Sequence, residues 1–223
     1  MSGLLGDVKL QALIDRLQAQ SAAQEAETGA WFQARAEKGE LSWDGLDEKS
    51  HRYMADKLVA LDPPKAEFCH LICRALRAKR VVEVGTSFGV STLYLADALR
   101  ANGGGVVIGT EYEPAKAAKA RAHFAEAGLS DLIDLREGDL RETLKVIEGP
   151  VDFVLMDIWT EMVAPAMQLI TPHLRPGAVV VCDNTRQFTH AYRHFFEFVN
   201  EPKNGLKTLT LPFEGGLEFT VKV

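Results

Sequence analysis

A chain of 223 residues, 47% hydrophobic and 25% charged, is long enough to bury a core without disulfide or metal staples. Its net charge of −6 gives no general electrostatic grip on a phosphate backbone, which argues against nucleic acid as a partner. Cys69, Cys73 and Cys182 form no disulfide framework, and no stretch approaches the ~18 apolar residues of a membrane span.

The stretch from Met1 to Gln20 is charged and amphipathic with no apolar signal core, which predicts a cytoplasmic protein. Residues 4–38 are rich in Ala, Gln, Glu and Leu, and Leu10, Leu13, Ile14 and Leu17 recur at helical spacing. A turn-like stretch from Gly39 to Gly45 carries Trp43, and a second helix is predicted over 47–60. Residues 1–61 are therefore read as a helical appendage, a lid or a dimerisation element, with enough apolar face to pack on a second copy in a homodimer.

From residue 62 to 223 strands and helices alternate. A helix over 64–78 leads into the short apolar strand Val81–Val84, the loop Gly85 to Gly89, and a helix through Arg100. Val106–Glu111 is the second strand. Pro114 opens the next helix, where its missing N–H costs nothing, and Gly128 closes it. Asp131–Arg136 reads as a strand, Leu140–Ile147 as a short helix, Phe153–Asp157 as a strand, 160–174 as a helix and Ala178–Asp183 as a fifth strand. A helix near 189–200 precedes two strands, Lys207–Leu211 and Leu217–Val221, around the turn Pro212–Gly216.

Such alternation implies an α/β fold with a parallel sheet and helices on both faces. The last two strands are too close in sequence for a crossover and must be antiparallel. The expected architecture is a Rossmann-like, doubly wound, mostly parallel seven-stranded sheet with an antiparallel C-terminal hairpin and an N-terminal helical appendage.

Ligands of such sheets bind beyond the carboxyl ends of the strands. The segment Glu83-Val84-Gly85-Thr86-Ser87-Phe88-Gly89 stands at such an end. A dinucleotide fingerprint starting at Gly85 needs glycine at 87 and 90, where Ser87 and Val90 stand, so a pyrophosphate ligand fails twice. Glu111 ends the second strand, where an acid can accept from two ribose hydroxyls. Asp139 follows the third strand, where an acid can meet an adenine amino group or simply cap a helix.

On these residues the chain from 62 to 223 resembles the class I methyltransferases that use S-adenosyl-L-methionine (SAM), and within them the catechol and caffeoyl-CoA O-methyltransferase group. The matching stretches are Val81–Ser91, Gly109–Leu129, Arg136–Leu140, Asp152–Asp157 and Val179–Thr185. The resemblance implies SAM contacts at Gly85, Ser91, Glu111 and Asp139, with Glu83 facing the methionine end. Thr86, Ser87, Gly89, Tyr112, Gly138, Leu140, Asp157 and Trp159 complete the expected cofactor contacts. It also implies a divalent cation, Mg²⁺ or another oxygen-loving ion, held by Asp157, Asp183 and Asn184 as the catalytic set, orienting the hydroxyl of a small-molecule acceptor.

One position departs from the group: Thr160 stands where a lysine general base is usual, and a threonine cannot take that proton at neutral pH. Helix-capping roles for Asp157 and Asp183-Asn184 therefore stay open, as do a metal-independent O- or N-methyltransferase, a non-catalytic SAM-binding protein and an NAD-dependent oxidoreductase. His51 and Tyr53 lie in the appendage, which in the resembled group often covers the active site, and otherwise read as an exposed polar helix face. Trp43, Trp159 and Phe188 are core aromatics or acceptor-pocket lining, and Arg186 is a surface residue or a partner for an anionic acceptor. His190 and His194 lie one helical turn apart but have no further ligands at zinc spacing, and Cys69 and Cys73 read as small packing residues.

Overall fold

The computed structural model of the protein describes residues 4–41, 47–187 and 189–223. Helix α1 (Val8–Glu37) starts where the Asp7 carboxylate accepts from the backbone N–H of Lys9 and Leu10 at 3.0 and 3.2 Å, a side-chain cap on two otherwise unpaired donors. Leu10, Leu13, Ile14 and Leu17 form its buried stripe, each contributing roughly 1.5–3 kcal/mol by leaving water. They join the core layer that also holds Leu58, Leu61, Phe88, Leu93 and Phe153, so the N-terminal helix packs into the body of the protein.

Helix α2 (Glu48–Met54) is shorter than the expected 47–60. The polar side of α1 claims the backbone that follows. Gln24 accepts from the Leu58 N–H at 3.0 Å, Ser21 Oγ donates to the Leu58 carbonyl at 3.3 Å, and Gln18 donates to the Leu61 carbonyl at 2.9 Å. Residues held this way run extended into α3 (Pro63–Ala75).

The sheet comprises β1 (Arg80–Val84), β2 (Val106–Glu111), β3 (Ile133–Glu137), β4 (Val151–Met156), β5 (Leu174–Asp183), β6 (Leu206–Leu211) and β7 (Leu217–Lys222). Their order is β3-β2-β1-β4-β5-β7-β6, parallel from β3 to β5, with β7 antiparallel to both β5 and β6. Alternate residues face opposite layers, as the two-residue period of a strand requires. Val81, Phe153, Leu155 and Val181 pack toward α3 and α4 (Val90–Ala101), while Val82, Val84, Val154 and Val180 pack toward α7 (Thr160–Ile170) and α8 (Arg193–Asn200).

α5 (Pro114–Glu126) and α6 (Leu140–Thr143) complete the set, and α6 is one turn rather than the expected two. Arg136 ends it by donating Nη1 to the carbonyls of Thr143 and Val146, at 2.8 and 2.6 Å. β5 begins four residues before the expected Ala178, passing through Pro176 and Gly177 at the sheet margin. The strand order reverses between β1 and β4, and the crevice for a ligand opens at their carboxyl ends.

Candidate active site

The loop after β1 is shaped by close approach. Gly85 sits at φ +95°, and a Cβ there would lie 2.0 Å from the carbonyl oxygen of Asp157. Glycine thus lets the end of β1 press against the end of β4, where the Asp157 N–H donates to the Val84 carbonyl at 3.0 Å. The Thr86 N–H donates to the Thr110 carbonyl at 2.9 Å. The Ser87 N–H donates to Glu111 Oε2 at 2.7 Å, and the Glu113 N–H donates to Glu111 Oε1 at 2.8 Å. Glu111 therefore braces the loop and the turn after β2 at once.

Glu83 is fully buried beneath this loop. Its carboxylate accepts from the hydroxyls of Thr86 at 2.9 Å, Ser91 at 2.7 Å, and Thr92. Burial pushes its pKa up, the three hydroxyls pull it down, and nearby Glu111 adds to the rise. Gly89, at φ +86°, hands the chain into α4 with no room for a side chain: a Cβ would meet the Phe124 ring at 2.4 Å.

The third strand end adds Gly138, whose N–H donates to the Glu111 carbonyl at 2.9 Å. Asp139 caps α6 by accepting from the Arg141 N–H at 2.8 Å, and it also pairs with the Arg141 guanidinium at 2.5 Å. Leu140 is buried behind it, and Tyr112 stands exposed between the two acids in sequence. The residues expected to hold an adenosyl ligand thus occupy the carboxyl ends of three adjacent strands, β1, β2 and β3.

The next two strand ends carry the acids. Asp157 follows β4 and Asp183 ends β5. Neither caps a helix among the described residues: α7 begins at Thr160 after Trp159 without a side-chain cap, and α8 begins well past Asp183. The capping alternative thus does not account for either carboxylate. Burial, the facing Asp183 and Glu83 push the Asp157 pKa up; burial also raises that of Asp183, against the pull of Lys65. Asn184 follows at φ +58°, its Oδ1 packed so near Gly215 of the β6–β7 turn that a Cβ there would lie 2.5 Å away.

Lys65 is the feature that the sequence reading missed. Its side chain is 3% exposed, and its Nζ lies 2.7 Å from Asp183 Oδ1, an ion pair off the line of a good hydrogen bond. A second carboxylate, Asp62, lies 3.1 Å from the same nitrogen. The Asp62–Lys65 spacing was visible in the sequence, but 118 residues separate Lys65 from Asp183, and no local pattern announces that pairing.

Among the described residues no three His, Cys, Asp or Glu side chains converge as a metal-binding group. The implied set of two carboxylates and a carboxamide nevertheless has hard-oxygen chemistry. The mutual repulsion of Asp157 and Asp183 also favours positive charge between them. These residues fit a hard divalent cation, with an ammonium already set against one of them.

The N-terminal helices reach the edge of this site. His51 meets Trp159 edge-on with ring centroids 6.0 Å apart, and its Nε2 is 3.7 Å from Glu161 of α7. Tyr53 stacks on Trp31 at 4.0 Å, and its buried hydroxyl has no hydrogen-bond partner among the described residues. The expected exposed face fails for Tyr53, whose hydroxyl is buried, while the His51 side chain stays 42% exposed as it touches α7. Trp159 is half-buried at this junction, while Trp43 and Phe188 lie outside the described residues.

Arg186 is exposed, its N–H donating to the Gly215 carbonyl at 2.9 Å. His194 pairs with Glu197 at 3.0 Å, and His190 lies 3.4 Å from Arg193. Cys69 and Cys73 are fully buried free thiols whose pKa burial raises, as expected of packing residues. No helix among the described residues is long and apolar enough to cross a membrane.

Comparison with known proteins agrees with this geometry. Residues 82–185 match a family model described as a methyltransferase domain. The catechol O-methyltransferase of Mycobacterium tuberculosis is 35% identical over 127 residues, covering 56% of this chain and 57% of the relative. The chain thus spans a little over half the length of the curated relatives it matches. Among solved structures, cofactor-bound Rv0187 from MTB superposes with a TM-score of 0.72 at 26% identity, covering 99% of this chain and 93% of that one. The O-methyltransferase TomG from Streptomyces achromogenes, involved in tomaymycin synthesis and solved with SAM, gives 0.68 at 25% identity over 80% of this chain and 91% of its own. In matched segment, strand order and sequence, the chain is thus similar to SAM-dependent O-methyltransferases.

Proposed function

We propose that this protein transfers the methyl group of SAM to a hydroxyl of a small phenolic or catechol-like acceptor. The observation that carries this reading is the row of strand ends. The braced loop Gly85–Gly89, Glu111 and Gly138-Asp139 lie along β1, β2 and β3, and the two uncapped acids stand on β4 and β5. The names of the catechol O-methyltransferase relatives and of the SAM-bound structure support the same donor and acceptor class.

Each Glu111 oxygen accepts one backbone N–H and keeps a lone pair, enough to receive two ribose hydroxyls. Glu83, committed to three hydroxyls, keeps the loop in shape beneath the methionine end. Asp157 and Asp183 then face the acceptor. In the reaction the acceptor oxygen bonds the methyl carbon as the carbon–sulfur bond breaks, its electron pair stays on sulfur as S-adenosylhomocysteine, and the hydroxyl proton passes to water. Most of the protein's share is alignment of oxygen, carbon and sulfur. A divalent cation, when held by Asp157, Asp183 and Asn184, would supply polarisation of the acceptor hydroxyl.

His51, Trp159 and the Trp31–Tyr53 stack wall the acceptor side and select for flat, apolar molecules. Calorimetry with S-adenosylhomocysteine, followed by label transfer from methyl-labelled SAM to a panel of phenols, tests the reading. Binding and transfer to catechols are expected. A purified protein that binds neither SAM nor its demethylated product would overturn it.

A further inference from the structure

A lysine is an unusual choice for position 65. It lies in the first turn of α3, where the helix dipole disfavours a cation, and its side chain is 3% exposed. Burying an ammonium costs several kcal/mol by itself and is tolerated only against paired acids. Lys65 has two such partners, Asp183 at 2.7 Å and Asp62 at 3.1 Å, and the second is half exposed on the outer side. The buried partner, Asp183, is one of the two carboxylates on which the methyltransferase reading places a divalent ion.

We propose that Lys65 is a resident cation of the acceptor site, competing with a divalent ion for Asp183 and thereby setting how tightly such an ion is held. The proposal rests on the methyltransferase reading for its purpose, but its test does not depend on turnover. With Lys65 in place, an arriving ion must displace the ammonium from Asp183 or share that carboxylate with a second positive centre. Either route weakens binding. A purely structural Lys65 predicts the reverse, because removing it would release Asp183 from its position and loosen any ion held there.

The experiment is calorimetric titration of Mn²⁺ into chelator-treated protein: the natural chain, Lys65→Met and Lys65→Arg. Lys65→Met keeps the length and apolar stem while deleting the charge. It should bind Mn²⁺ at least about tenfold more tightly than the natural chain, and Lys65→Arg should not. Equal or weaker binding by a folded Lys65→Met overturns the proposal. Titration of each variant with S-adenosylhomocysteine reports folding and the cofactor reading separately, so the two ideas fail independently.

Should Lys65→Met not fold, the natural chain labelled with ¹³C at lysine Cε supplies a second readout. Saturation with Mg²⁺ should shift the signal of the buried lysine as its partner is taken. A signal unmoved at saturation overturns the proposal.

Discussion

Single residues in this protein act through contacts that their type alone does not reveal. Gly85 was legible as part of a ligand loop, but its tightest constraint is the Asp157 carbonyl, which leaves no room for a methyl group. Gly85→Ala should lose roughly 1–3 kcal/mol to backbone strain and a similar amount to overlap, read by urea denaturation, and should abolish binding of S-adenosylhomocysteine.

Asp157 makes the opposite case, a residue that costs stability. Its folded pKa is raised, so the native state holds a proton more firmly than the unfolded chain does. Stability from this group is therefore present below the ordinary carboxylate value near pH ~4 and lost as pH rises through the raised one. Asp157→Asn should accordingly raise the melting temperature of metal-free protein at pH ~8, on a scale of about 2–4 °C per kcal/mol, with little effect at pH ~4. Methyl transfer should fall sharply in the same variant. A melting temperature unchanged across that range would count against the repulsion between the acids.

At the scale of elements, the strands and most helices could be read from hydrophobic period and turn residues, because burial enforces both. Boundaries went astray where side chains far away in sequence take over the backbone. Ser21 and Gln24 shorten α2 in this way, and Arg136 stops α6 after one turn. The row of acids and glycines at the carboxyl ends was legible because each strand end carries its own. The partners of Lys65, His51 and Tyr53 were not, since each is met on an element elsewhere in the chain.

α2 itself hangs on one buried side chain. Arg35, near the end of α1, donates to Asp47 at 2.7 and 3.0 Å, to Ser50 Oγ at 2.6 Å and to the Glu40 carbonyl at 3.0 Å, and its guanidinium lies 5.0 Å from the Trp31 ring centre. These bonds tie the start of α2 to α1 and depress the Asp47 pKa. Arg35→Met should leave the sheet intact but speed hydrogen exchange of the 48–54 amides by about tenfold or more. It should also raise KM for the acceptor while sparing affinity for S-adenosylhomocysteine. Unchanged exchange in α2 would show that the aromatic stack alone holds it.

At the scale of the whole molecule, the two core layers divide the work. The layer containing α1, α3 and α4 carries the N-terminal helices and Lys65 up to the acids, and the opposite layer of α7 and α8 backs β4 and β5. On the proposed function, acceptor choice and cation affinity would be set by segments that precede the first strand in the chain.

The sheet order also constrains assembly. β7 lies between β5 and β6, so a growing polypeptide delivers β6 before the strand on which β6 must rest. β6 can take its place only once β7 is made, whether as a ready hairpin or after β7 has paired with β5. Until β7 pairs, the open flank of β5 leaves Asp183 on an unfinished edge. The flank of β5 that ends at Asp183 is thus covered only by a strand made after β6.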